Sequence, residues 1–403
     1  MRSIFADLHI HIGSTDRGEP VKISASRNLT FANIAKEASE RKGIELIGII
    51  DCHSPGVLDD IERCLDGGEM DEAAGGGIRY RSTTILLGSE IEVRDEGFGA
   101  VHLLVYMRDL ASMREFSRWM SRHMKNVRLS SQRLRVPARS LQREVLDRGG
   151  LLIPAHIFTP HKGLYGSGSD RMADLLDPDG VAAVELGLSA DAGMAGWISE
   201  LDRMPLLANS DAHSLGKIAR EYNRLALVSP CFDEFKLALR QKDGRAIEAN
   251  YGLHPRLGKY HRTWCAQCRR ILDESGAVVD RCPHCGGRRV VRGVLDRIRS
   301  IADRDEPAGP PGRPPYHYQV PLEFVPGLGR RTLERLLERF GTEMNVLHRA
   351  PEDELAQTAG EKAAAFIVSA RRGTLRIDSG GGGQYGKVVD VPEREDENPD
   401  SPS

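Results

Sequence analysis

Along residues 1–250, apolar runs of strand length alternate with stretches of helical period. The apolar runs are Ile4–Ile10, Ile44–Ile50, Thr84–Ile91, Val101–Met107, Leu151–Ala155, Val181–Leu186, Leu206–Ala208 and Leu225–Val228. Helical patterns lie between several of them, over Phe31–Arg41, Met113–Lys125, Ala138–Arg148 and Phe232–Gln241. Such alternation predicts an α/β fold, a mostly parallel sheet covered by helices. Seven or eight strands in about 240 residues suit a closed barrel, whose functional side chains gather at the carboxyl ends of the strands. A Gly-rich polar insertion, "GGEMDEAAGGG", interrupts the pattern at Gly67–Gly77.

Beyond residue 250 the pattern changes. Residues 256–299 hold 11 Lys/Arg against 4 Asp/Glu, a basic module. Asp305–Pro315, "DEPAGPPGRPP", reads as a Pro/Gly linker. Helical period returns over Val320–Ile377, followed by "SGGGGQYG" and an acidic tail with no apolar area to bury, expected to be disordered. The expected units are therefore a barrel over 1–250, a small module over 251–304, a linker over 305–319, a helical domain over 320–378 and a tail over 379–403.

Composition refines this picture only slightly. The chain of 403 residues is 40% hydrophobic and 28% charged, enough for two or three globular domains. Its net charge of -2 averages over uneven regions and points to no class of partner. No apolar run approaches the roughly 18 residues of a membrane span. The N-terminal residues have no signal-peptide pattern, so the cytoplasm is the expected compartment.

The chemistry starts at "FADLHIHIG", residues 5–13. In a strand, alternate residues share a face, so Asp7, His9 and His11 point one way and Leu8 and Ile10 the other. A polar face of that kind requires partners, either water or a metal ion. Other strand ends supply matching residues. Asp51 and His53 follow one strand, Glu90 ends another, His156 a third, and Asp211 and His213 a fourth. His102 enters its strand instead of leaving it, and an antiparallel strand would bring it to the same rim. With His161, which follows His156 in "PAHIFTPH", seven of the 13 histidines lie in these motifs. Imidazoles and carboxylates together suit Zn, Mn or Fe, and several on one rim can hold two or three ions. Clustered ions sharing a carboxylate can clamp the attacking and leaving oxygens of a phosphate ester.

The motifs "DLHIH", "DCH", "GSEIEV", "HLL", "PAHIFTPH" and "NSDAHS" resemble those of the PHP phosphoesterase family. The resemblance implies a distorted (β/α)7 barrel with a site for two to three divalent ions, Zn, Mn, Fe or Mg. It implies one ion on His9, His11, Glu90 and Asp211, and a second on Glu90, His102 and His156. A third would use His53 and His213, with Asp16 in "GSTDRGEP" as the nearest further ligand.

Two more modules follow. "WCAQCRR" and "DRCPHCGGRR" set Cys265, Cys268, Cys282 and Cys285 as two Cys-x-x-Cys pairs, the spacing of a closed, structural Zn site. The other three cysteines read as free thiols, in keeping with a reducing compartment. Arg269, Arg270, Arg288 and Arg289 crowd the cysteine module and suit phosphate contacts. "VPGLGRR" resembles a helix-hairpin-helix turn, in which Gly327, Gly329, Arg330 and Arg331 would meet a DNA phosphate.

The order of all three modules resembles the endonuclease Q family of PHP-type DNA repair nucleases. That resemblance implies hydrolysis 5′ to a deaminated base (uracil, hypoxanthine or xanthine) or to an abasic site, with damaged DNA as the partner and no membrane. Reading a lesion in a duplex requires extruding it. The loop 156–170 offers Phe158, His161 and Tyr165 to stack and Ser167 and Ser169 to hydrogen-bond. Asp191 on the same rim is a candidate catalytic residue beside Glu90 and Asp211, or else a helix N-cap. The alternative function is a small-molecule phosphatase of the histidinol phosphatase type carrying nucleic-acid-binding modules.

Overall fold

The structure is a computed structural model that describes residues 1–272, 281–325, 327–375, 377–378, 380, 384 and 386–388. The first strand, Arg2–Ile10, is buried from Ile4 onward. It pairs in parallel with Leu46–Ile49, which pairs in parallel with Thr83–Val93. The direction then reverses. Val101–Met107 lies antiparallel to both Thr83–Val93 and Leu151–Pro154. The sheet is thus mixed where the apolar pattern predicted a mostly parallel one, because periodicity records burial and not strand direction. The reversal is the one required to place His102 beside Glu90.

From Leu151–Pro154 the backbone bonding continues through Ala182 N–H to Leu152 C=O at 2.9 Å. Val184–Glu185 then pairs in parallel with Leu206–Leu207. The ring closes where Ala212 exchanges hydrogen bonds with the first strand, donating to His9 C=O and accepting from His11 N–H. Seven strands therefore surround the polar centre, and only a bridge completes the last contact.

Outside this ring, Tyr222–Leu227 pairs antiparallel with the lower half of Arg2–Ile10. Ala246–Gly252 and then Tyr316–Tyr318 extend the same sheet. The last two were not read as strands, being short, polar or aromatic. Among the covering helices, Leu110–Ser121, Ala138–Asp147 and Phe232–Leu239 fall where expected. Pro55–Asp66 was missed, although it starts with Pro at its first turn and buries Val57, Leu58 and Ile61 on one face.

The stretch 305–319, expected as a linker, is laid against the barrel. Ala308 N–H donates to Gly196 C=O at 3.0 Å and Arg313 to Leu201 C=O at 2.7 Å. The helices Arg330–Phe340, Glu343–His348, Glu352–Ala359 and Glu361–Arg372 form the C-terminal unit. It docks through Lys42 and Glu343, a nearly buried pair at 3.0 Å, and through His348, whose ring stacks on Phe5 at 4.5 Å. Most of the tail 379–403 lies outside the described residues. Among the described residues, no helix is long and apolar enough to cross a membrane.

Candidate metal centre

The strand ends and the loops after them deliver five imidazoles and two carboxylates to one largely buried cluster. Three groups of ligand atoms each lie within 4.8 Å of one another: His9, His11 and Glu90; Glu90, His102 and His156; and His11, Asp211 and His213. Glu90 belongs to two groups and His11 to two, so the three form one continuous cluster. Glu90 Oε1 stands 2.8 Å from His102 Nδ1 and 3.3 Å from His156 Nε2. Asp211 Oδ1 lies 3.5 Å from both His9 Nε2 and His11 Nε2.

These side chains are held from behind. His9 Nδ1 faces both oxygens of Glu185, at 2.9 and 3.0 Å, which leaves Nε2 aimed at the cluster. His11 Nδ1 lies 3.0 Å from Asp51. Carboxylates on the rear nitrogen fix the ring orientation and the tautomer of a metal-binding histidine. Asp7 looks elsewhere. Its carboxylate accepts from Ser210 N–H at 3.0 Å and Ala219 N–H at 2.8 Å, clamping the loop that carries Asp211 and His213. His156 and Asp211 sit at φ 29° and 46°, a left-handed region that non-glycine residues occupy at a cost of order 1–3 kcal/mol.

The electrostatics favour cations. Burial works against a charge on His9, but Glu185, Asp211 and Glu90 outweigh it and raise His9 to about 10. Burial alone would raise Glu90 and Asp211. His102 and Lys22 instead hold Glu90 well below the carboxylate range, and His9 and His11 do the same for Asp211. Burial, with His11 alongside, lowers His213 to about 4, leaving a neutral imidazole. Among the described residues, His9 Nε2 and His102 Nε2 are buried without a hydrogen-bond partner. Each such orphan costs about 1–3 kcal/mol unless something ligates it. The donor set therefore fits divalent ions.

Two expected ligands are not brought to this cluster. His53 is turned away, with Nδ1 2.8 Å from Ser89 Oγ and Nε2 3.4 Å from Leu129 C=O. Asp16 sits at the surface, where its carboxylate faces Arg63 at 3.6 Å. The third group uses His11 with Asp211 and His213 instead.

The cluster lies in a cavity of about 690 Å³. Its lining includes Lys22, Lys162, Lys217, Arg220 and Lys259, a cationic wall around an acidic floor. Of the loop residues expected to read a base, only His161 lines it, meeting Tyr260 edge-on at 5.4 Å. Phe158 and Tyr165 are buried and packed on each other at 5.6 Å, and the Tyr165 hydroxyl donates to Glu200 at 2.8 Å. Ser169 is spent on Asp174, and Ser167 donates weakly to Gly163 C=O. Asp191 is an N-cap: one oxygen accepts from Met194 N–H at 2.7 Å and the other from the Tyr318 hydroxyl at 3.0 Å. Glu185, Lys22, Ser131 and Tyr260 were missed. Lys22 Nζ sits 3.2 Å from Glu90 and 2.6 Å from Ser131 Oγ.

The four module cysteines also converge. Cys265 and Cys285 sulfurs lie 3.6 Å apart, as do those of Cys268 and Cys282. Both knuckles have the same form: Arg269 N–H donates to Cys265 C=O and Gly286 N–H to Cys282 C=O, each at 2.8 Å, with φ of 60° and 69°. Backbone N–H of Cys268 lowers the Cys265 thiol to about 6, favouring the thiolate that a metal takes. Arg269, Arg270, Arg288 and Arg289 are exposed around it. Gly327 and Gly329 lead openly into the helix that begins at Arg330, and Arg330 and Arg331 are exposed.

A ligand cluster at the strand ends of a mixed α/β barrel, with a separate four-cysteine module, defines a metal-dependent hydrolase. No family model matches the chain. It is 53% identical over 390 residues to the uncharacterised Bacillus subtilis protein YqxK, covering 96% of this chain and all of that protein. A match to the uncharacterised protein MJ0043 of Methanocaldococcus jannaschii, 38% identical over 258 residues, spans 32% of that longer protein. The crystal structure of the lesion-specific endonuclease PfuEndoQ from Pyrococcus furiosus superposes at TM-score 0.85, with 31% identity over the whole of both chains. A complex of endonuclease Q with a 27-mer duplex carrying an abasic lesion at the active site matches at TM-score 0.84 over 98% of this chain. The chain belongs to the endonuclease Q family.

Proposed function

We propose that this chain is a DNA repair endonuclease that hydrolyses the phosphodiester 5′ to a deaminated base (uracil, hypoxanthine or xanthine) or an abasic site. The observation that carries the proposal is the pairing of a buried His/carboxylate cluster with a cationic cavity wall, in a chain that matches a lesion-specific endonuclease along its full length.

His9, His11, Glu90 and Asp211 would hold one ion, Glu90, His102 and His156 a second, and Asp211, His213 and His11 a third. Bound there, such ions supply Lewis-acid activation at phosphorus and neutralise charge on the leaving oxygen. The protein's own residues do the rest. Glu185 and Asp51 orient the rings of His9 and His11. Lys162, Lys217, Arg220 and Lys259 attract the phosphates flanking the scissile one. His161 and Tyr260 offer an aromatic wall for an extruded base. The four-cysteine module takes one structural Zn, and its exposed arginines, with the Gly327–Arg331 turn, extend the hold on the backbone without reading sequence.

The test compares two substrates under the same divalent ion. Nicking of a duplex bearing one abasic site, with slow turnover of a generic phosphomonoester, supports the nuclease. Fast monoester turnover with an intact duplex supports the small-molecule phosphatase.

A further inference from the structure

Ile23 is 80% exposed, more than the other large apolar side chains of the described residues. A single exposed isoleucine is ordinary, but this one has an unusual mounting. Its neighbours Lys22 and Ser24, and Ser26 beyond, all line the metal cavity. Ile23 therefore sits on a turn at the cavity's edge; its own side chain does not line the cavity and stands in solvent.

The turn that carries it is pinned on both sides. Lys22 N–H donates to Ile12 C=O at 2.9 Å, Ala25 N–H to Lys22 C=O at 3.0 Å, and Ser26 N–H to His213 C=O at 2.8 Å. Both outer anchors belong to segments that carry candidate ligands. Lys22 adds its bond to Glu90. Gly13 packs so closely on this turn that a Cβ there would strike the Ser26 carbonyl. The turn is a post anchored on ligand-bearing segments, with an aliphatic tip beside a cavity lined by lysines.

We propose that Ile23 is the wedge that enters the duplex where the damaged nucleotide leaves the stack. This rests on the lesion-nuclease reading. An extruded nucleotide leaves an apolar gap between its neighbouring bases, and aliphatic side chains fill such gaps. Lysines lining the adjoining cavity hold the backbone while the tip inserts. A rigid mounting makes insertion cheap, because little side-chain or loop freedom is lost on binding.

The experiment is single-turnover nicking by the full chain, loaded with divalent ion, on two substrates. One is a fully paired duplex with one deoxyuridine; the other is the same strand alone, where no stack has to be opened. Wild-type protein is expected to cut both. Ile23→Ala is expected to lower the duplex-to-single-strand rate ratio by on the order of tenfold, and Ile23→Leu to restore most of it. An unchanged ratio in Ile23→Ala, whether both rates hold or fall together, overturns the wedge while leaving the nuclease reading intact. Failure of wild-type protein to cut either substrate overturns both.

Discussion

His9 and Glu185 face each other across the barrel centre, with Nδ1 at 2.9 and 3.0 Å from the two carboxylate oxygens and neither side chain open to solvent. Glu185 is further fixed by Asn209 Nδ2 at 2.8 Å and by His156 N–H at 2.9 Å. One carboxylate thus orients one ligand by its side chain and another by its backbone. Glu185→Gln keeps the volume and removes the charge. It is expected to weaken divalent-ion binding by roughly 10–100-fold, read by titrating metal into the stripped protein. Unchanged affinity would show that Glu185 only fills space.

The raised His9 has a pH consequence. Its folded value of about 10 lies above the ordinary 6.5, so in the metal-free chain its ion pairing stabilises fully below 6.5 and is lost as pH rises through about 10. A metal ion must displace that proton. Metal affinity is therefore expected to rise with pH between those values, with proton release on binding. Calorimetric titration in buffers of different ionisation enthalpy measures the protons released. No release near neutral pH would mean that His9 already lacks its proton.

Lys42 and Glu343 tie the C-terminal helices to the barrel at 3.0 Å, and Lys42 also donates to Gly216 C=O at 3.1 Å. Glu343→Ala strands a buried ammonium, which costs about 3–5 kcal/mol. Hydrogen exchange is expected to accelerate across residues 330–372 before the barrel loosens. Uniform destabilisation of the whole chain would argue that the two units unfold as one.

Among the described residues, the cysteine module's own apolar cluster buries only Cys265, Leu272 and Cys282. So small a unit depends on its metal. Cys265→Ser is expected to lose one bound Zn and to open the module to protease around residues 263–292, while the barrel helices stay protected. Weaker DNA binding with a flatter salt dependence should follow, because exposed arginines lose their mounting. Retained Zn and unchanged protease resistance would contradict this.

Much of the centre was legible because chemistry-bearing residues at strand ends converge in a barrel whatever the detailed topology. That places His9, Glu90, His156, Asp211 and His213 from sequence alone. What failed was anything decided by loops. Asp16 and His53 follow ligand-bearing strands in sequence, yet local partners, Arg63 and Ser89, capture them. Phe158 and Tyr165 sit in a Gly/Ser-rich stretch that reads as surface, but the loop folds back and buries both rings. Asp191 kept the local role its position before "AGMA" allowed, capping Ala192–Ala195. Lys22 and Glu185 gave no signal because each lies far in sequence from the partner that defines it: Glu90 for Lys22, His9 for Glu185.

The central claim is tested most directly by mapping one nick. A 5′-labelled duplex with a single deoxyuridine, incubated with Mg, Mn or Zn, is resolved on a denaturing gel beside undamaged duplex and a Glu90→Ala control. The account predicts an ion-dependent cut on the 5′ side of the lesion, absent from both controls. A cut elsewhere, a cut that survives Glu90→Ala, or no cut in any damaged duplex would contradict it.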